Sequence, residues 1–143
     1  MKGLNLFLDL FNFYPNMQIL EIGNIENKIS QTIREKLSEC EGELKSFDFN
    51  SREFSIREIK IEPRSYEHIV LYEIISEELL ELTYHALENS GDLVFLFKKG
   101  ILDIAEVKEL ISSRGFVAVN DIDIFDEFDL ISAKKMHMWT RGY

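Results

Sequence analysis

The sequence predicts an open α/β fold: a doubly wound, mostly parallel sheet with helices on both faces and an antiparallel hairpin at its C-terminal end. Three observations carry this reading. Strand-like and helix-like apolar periods alternate from residue 18 to residue 115. Two runs, His68-Ile-Val-Leu-Tyr72 and Asp92-Leu-Val-Phe-Leu-Phe97, are continuously apolar, as expected of strands covered on both faces. The last two strand-like runs have no helix between them, and their short connection favours a hairpin.

In chain order, Leu4, Phe7, Leu8 and Phe11 recur at helical spacing, with Leu6, Leu10 and Phe13 in a second row. So broad an apolar surface has two readings, burial within its own domain or a homodimer contact through this N-terminal helix. Gln18–Ile22 is a short strand closed by Gly23. Ile29, Ile33, Leu37 and Cys40 mark a helix, and Gly42 follows where a left-handed cap is needed. Glu43–Phe49 and Phe54–Ile61 read as strands, the second ended by Pro63. After the 68–72 strand, Ser76 caps a helix with apolar positions Leu79, Leu82, Thr83, Ala86 and Leu87, ended by Gly91. Asp103 and Glu106 form a capping box before the stripe Ile104, Val107, Leu110 and Ile111, and Gly115 ends that helix. Phe116–Ile122 and Phe128–Lys134 complete the pattern.

The 143 residues suit a single domain spanning 1–143. The balance of 16 basic against 26 acidic residues repels phosphate overall, which disfavours nucleic-acid and anionic-membrane partners. The apolar run at residues 3–13 is shorter than the roughly 20 residues a spanning helix needs, and Asp9 interrupts it. A single cysteine excludes an intramolecular disulfide framework and a multi-cysteine zinc site, and suits a reducing, cytoplasmic compartment. His68, His85 and His137 do not fall at metal-ligand spacing. The acidic cluster from Asp121 to Asp129 lacks the mid-loop glycine and spacing of an EF-hand and reads as a solvated hairpin tip.

Several segments together resemble the class I S-adenosylmethionine-dependent methyltransferases, a Rossmann-like family. Ile19-Leu-Glu-Ile-Gly23 resembles the first strand and the opening of the glycine-rich motif I. Asp48 lies where the family often has a ribose-binding acid. Tyr66-Glu-His-Ile-Val-Leu71 resembles the family's fourth strand, and residues 78–91 the helix after it. Gly115-Phe-Val-Ala-Val119 and Phe128–Lys134 resemble its final hairpin. The resemblance spans residues 18–135. It implies S-adenosylmethionine as cofactor, with Glu21, Gly23, Asn24, Asp48 and Tyr72 in cofactor-binding positions. It also implies Glu73, just after the 68–72 strand, as the residue that accepts a substrate proton. The plain alternative for Glu73 is a solvated carboxylate at a strand end.

The sequence departs from the family in the motif I loop. Only Gly23 of its alternating glycines is present, followed by Asn24, Ile25, Glu26 and Asn27. Glycine is needed there because bare backbone must approach a ligand closely. Ile25 brings a branched side chain to the path of the cofactor's methionine part, and Glu26 a charge like that of the cofactor's carboxylate. Two functions follow. One is a methyltransferase-like protein with a weakened or lost cofactor site and a binding or structural role, its Phe-rich helix and Met136-His-Met-Trp139 tail free for self-association. The other is an active methyltransferase acting on a small molecule. No amide-methylating Asn-Pro-Pro-Tyr or nucleophilic Pro-Cys motif is present.

Overall fold

The computed structural model describes residues 2–25, 27–49 and 55–136, with the side chain of Asn27 excepted. Glu26, Phe54 and the tail from His137 onward therefore lie outside the described residues. The described residues form four α-helices and six strands: α1 (Leu4–Asp9), β1 (Gln18–Gly23), α2 (Asn27–Glu39), β2 (Glu43–Asp48), β3 (Tyr66–Tyr72), α3 (Glu77–Ala86), β4 (Leu87–Lys98), α4 (Ile104–Ser113), β5 (Val117–Ile122) and β6 (Phe128–Lys134). They form one sheet of order β2-β1-β3-β4-β6-β5. β2, β1, β3 and β4 are parallel, and β6 inserts antiparallel between β4 and β5.

The period-2 rule divides the core into two layers. Leu20, Ile22, Ile69, Leu71, Leu93, Phe95, Ile131 and Ala133 face α3 and α4, represented by Leu79, Leu80, Val107 and Ile111. Ile19, Val70, Tyr72, Val94, Leu96 and Leu130 face α1 and α2, represented by Phe7, Leu8, Ile29, Ile33 and Leu37. Ser76 and Asp103 both act as N-caps. Ser76 accepts from the Leu79 N–H at 3.1 Å, and Asp103 accepts from Ala105 and Glu106 at 2.9 and 3.3 Å.

Phe7 and Phe11 pack edge-on within α1's layer, their centroids 5.1 Å apart, and Phe7 meets Phe125 at 5.5 Å. Both phenylalanines are buried by their own chain, whereas Leu6 is 61% exposed.

Three expectations are corrected. Residues 56–58 form a 3₁₀ turn rather than part of a strand. Here Ile59 is buried and Ile56 and Ile61 are partly buried against the α3 layer, so the apolar spacing reports packing beneath a loop. α3 ends at Ala86, and Leu87 already pairs with Tyr66 in β4. The register between these strands then shifts, because residues 88–91 form an irregularity before Asp92 pairs with His68. The Asn-Ser-Gly sequence therefore marks a strand bulge rather than a helix exit. Finally, the left-handed residue after α2 is Glu41, at φ 60°. Gly42 is required for a different reason, since a Cβ there would lie 2.6 Å from the Met17 carbonyl oxygen.

Candidate functional site

In open α/β sheets ligands bind beyond the carboxyl ends of strands where the strand order reverses. Here that place lies between β1 and β3, the strands that carry Glu21, Gly23, Tyr72 and, one residue on, Glu73.

Glu21 is fully buried on the α2 side of β1. Parallel register sets it beside Ser46 of β2. The first turns of α2 bring up Ser30, next to the buried Ile29. Both serine hydroxyls donate to Glu21 Oε1 at 2.6 Å. The Tyr72 hydroxyl donates to Oε2 at 3.2 Å. The carboxyl group thus ties β1, β2, β3 and α2 together. Tyr72 itself is 2% exposed. Sequence reasoning selected Glu21 and Tyr72 but missed Ser30 and Ser46. A polar residue flanking a buried helical position, and the residue in register with Glu21, were the available signals.

Gly23 has φ 121°, and a Cβ there would fall 2.2 Å from the Tyr72 carbonyl oxygen. The close approach that demands glycine here is to the β3 backbone. The next N–H, that of Asn24, donates to the same carbonyl at 3.0 Å, bridging the two strands at the switch point. The Gly23 carbonyl accepts from the Phe49 N–H at 2.8 Å, which holds the end of β2 close. Asn24's side chain is exposed, but Ile25 turns inward and is 7% exposed against the layer of Phe7, Ile29 and Ile33. Swinging this loop outward would re-expose an isoleucine, at a cost of about 1.5–3 kcal/mol.

A cleft of about 470 Å³ opens between α2 and the carboxyl half of β2, its lining including Glu21, Ile25, Ser30, Arg34 and Asp48. Asp48 ends β2 in register with Gly23. The cleft thus sits one strand away from the switch point and brings Glu21 and Asp48 together. Glu73 is not in its lining. That residue is exposed, at φ 57°, with its N–H donating to Leu96 at 2.7 Å. Elsewhere, the acidic residues of the hairpin region meet lysines: Asp121 with Lys108, Asp123 with Lys99 and Asp126 with Lys2. His68 lies at the opposite, amino-terminal end of β3. Its Nε2 meets the Phe11 carbonyl at 3.0 Å, and burial lowers its pKa.

Solved structures decide the fold. A SAM-dependent methyltransferase from Aquifex aeolicus matches over 94% of this chain and 90% of its own, at a TM-score of 0.76 and 12% identity. The fold is that of the class I S-adenosylmethionine-dependent methyltransferases. A SAM-dependent methyltransferase from Archaeoglobus fulgidus matches at 0.70 over 92% of this chain and 91% of its own, with 14% identity. Phosphoethanolamine N-methyltransferase 2 of Haemonchus contortus, in complex with S-adenosyl-L-methionine, matches at 0.71 and 12% identity. The match covers 94% of this chain but 52% of that one, so this methyltransferase fold spans about half the length of that relative. No protein-family model matches the sequence, and no curated protein sequence does either. Among the described residues no helix is long and apolar enough to cross a membrane.

Proposed function

We propose that this chain is a methyltransferase-fold protein with a weakened or lost S-adenosylmethionine site, serving a binding or structural role. One observation carries the reading. The groups at the motif I position are already committed inside the protein: three hydroxyls on the Glu21 carboxyl, and the Asn24 N–H on Tyr72. A ligand needing the Asn24 N–H must break a bond already made, at about 1–3 kcal/mol, and one needing the Glu21 carboxyl must reach a fully buried group that already accepts three hydroxyls. Ile25 adds the cost of opening the loop. These residues fit the cofactor poorly, so no methyl-transfer step is derived.

Isothermal titration calorimetry with S-adenosylmethionine and S-adenosylhomocysteine tests the proposal. No saturable heat at about 1 mM ligand is expected; a micromolar Kd for either compound would overturn it.

The second reading, an active methyltransferase on a small molecule, is favoured by the cleft beside Asp48. On that reading Asp48 accepts hydrogen bonds from the ribose and Glu73 takes the substrate proton. Self-association through α1 would use Leu6 rather than Phe7 or Phe11, which are buried. Sedimentation of Leu6→Glu checks this, and an unchanged mass in solution would dismiss self-association through α1.

A further inference from the structure

We propose that a basic hollow on the α3 and α4 side of the sheet binds the dianion of a small phosphate monoester. The hollow has a volume of about 520 Å³, and its lining includes Arg64, Arg114, Lys135, Glu81, Tyr84 and the imidazole of His85. Three cations against one carboxylate leave two positive charges in a chain whose net charge is −10. Arg114 Nη1 meets Glu81 Oε1 at 3.0 Å, which accounts for the one acid. Arg114 Nε has no partner among the described residues.

Lys135 is 6% exposed and directs one N–H to the Leu87 carbonyl at 2.8 Å. Its ammonium group lies 5.0 Å from the centre of the Tyr84 ring. Among the described residues no carboxylate pairs with Lys135 or with Arg64. A buried ammonium without a counter-charge is costly, and an anion entering the hollow would relieve that cost. The tilt of Lys135 agrees, since burial and then the neighbouring Arg64 lower its pKa.

The charge identifies the ligand class. A phosphate monoester carries about −1.5 to −2 at neutral pH, whereas a carboxylate carries half of that. Guanidinium groups recognise phosphate with several N–H donors at once. The Tyr84 ring gives an organic substituent an apolar surface, so an ester is expected over the bare ion. The hollow lies on the opposite face from Glu21 and Asp48, so the inference is independent of the state of the cofactor cleft.

The test titrates the full chain with phenyl phosphate, inorganic phosphate and benzoate, following calorimetric heat and the Lys135 side-chain NMR signal. Phenyl phosphate should saturate in the millimolar range or tighter. It should bind several-fold more tightly than inorganic phosphate and about tenfold more tightly than benzoate, weakening as salt is added. The Lys135 pKa should rise on binding. Arg64 is exposed and serves the fold through its backbone N–H to His85, at φ 51°. Arg64→Asn, which suits that conformation, should weaken binding about tenfold while leaving the Tm unchanged. Absence of saturable binding, equal affinity for benzoate or for inorganic phosphate, a stationary Lys135 signal, or an unaffected Arg64→Asn variant would each overturn the proposal.

Discussion

Glu21→Ala separates a structural carboxyl group from one kept for a ligand. Glu21 is fully buried, and it receives hydroxyl bonds of 2.6, 2.6 and 3.2 Å from Ser30, Ser46 and Tyr72. Ser46 is exposed and recovers a partner from water, whereas Ser30 and Tyr72 are buried and lose this bond with no water to replace it. Each buried hydroxyl bond lost costs about 1–3 kcal/mol, so the variant should lose about 2–5 kcal/mol. For a chain of this size that lowers the Tm by roughly 8–20 °C. Urea unfolding followed by circular dichroism measures the loss as a lower midpoint at unchanged slope. Tyr72→Phe alone removes only the longest of the three bonds and should cost about 0.5–1.5 kcal/mol. Combined with Glu21→Ala it should cost less than the sum, because both changes remove one shared contact. A residue held in readiness for a ligand behaves oppositely, and replacing it leaves stability unchanged or raised. A loss below about 0.5 kcal/mol, or simple additivity with Tyr72→Phe, would refute the structural reading of Glu21.

Three further outcomes are expected. Gly23→Ala places its methyl 2.2 Å from the Tyr72 carbonyl at φ 121°. It should destabilise by more than about 3 kcal/mol, measured by urea unfolding without any cofactor present, because both the clash and the left-handed strain are intrinsic to the fold. Ile25→Ala empties a 7% exposed site and should cost about 2–4 kcal/mol, with faster amide exchange at Asn24 by NMR. Burial lowers the His68 pKa, so the unfolded chain binds its proton more readily. The stability this histidine contributes is present above its unfolded value of roughly 6.5 and is lost as pH falls below it. Urea midpoints at pH 7.5 and 5.5 should show the loss, and it should shrink in His68→Gln.

The sheet was legible because its signals were redundant. His68–Tyr72 and Asp92–Phe97 are apolar at every interior position, and both lie at the centre of the sheet with layers on either side. The caps at Ser76 and Asp103 follow from local chemistry that needs no tertiary partner. The misread segments are those whose apolar spacing fits two states. Leu87 continues the α3 stripe, but it is also the first residue of β4 paired with Tyr66, and tertiary pairing decides. Ile59 and Ile61 alternate like a strand while packing beneath a loop. At the candidate site the identities of Glu21, Gly23 and Tyr72 were readable, but their partners were not. That Gly23 is demanded by a carbonyl of β3, and Glu21 by two serines distant in sequence, depends on register and helix placement. The same glycine in a strand–loop–helix context therefore supports the fold without specifying a cofactor.

Residue-resolved NMR titration with S-adenosylhomocysteine tests most directly whether the motif I position is already filled by the protein's own bonds. The amides of Gly23, Asn24 and Ile25 should stay in place up to about 1 mM ligand. Saturable shifts of those three signals at micromolar concentration would contradict it.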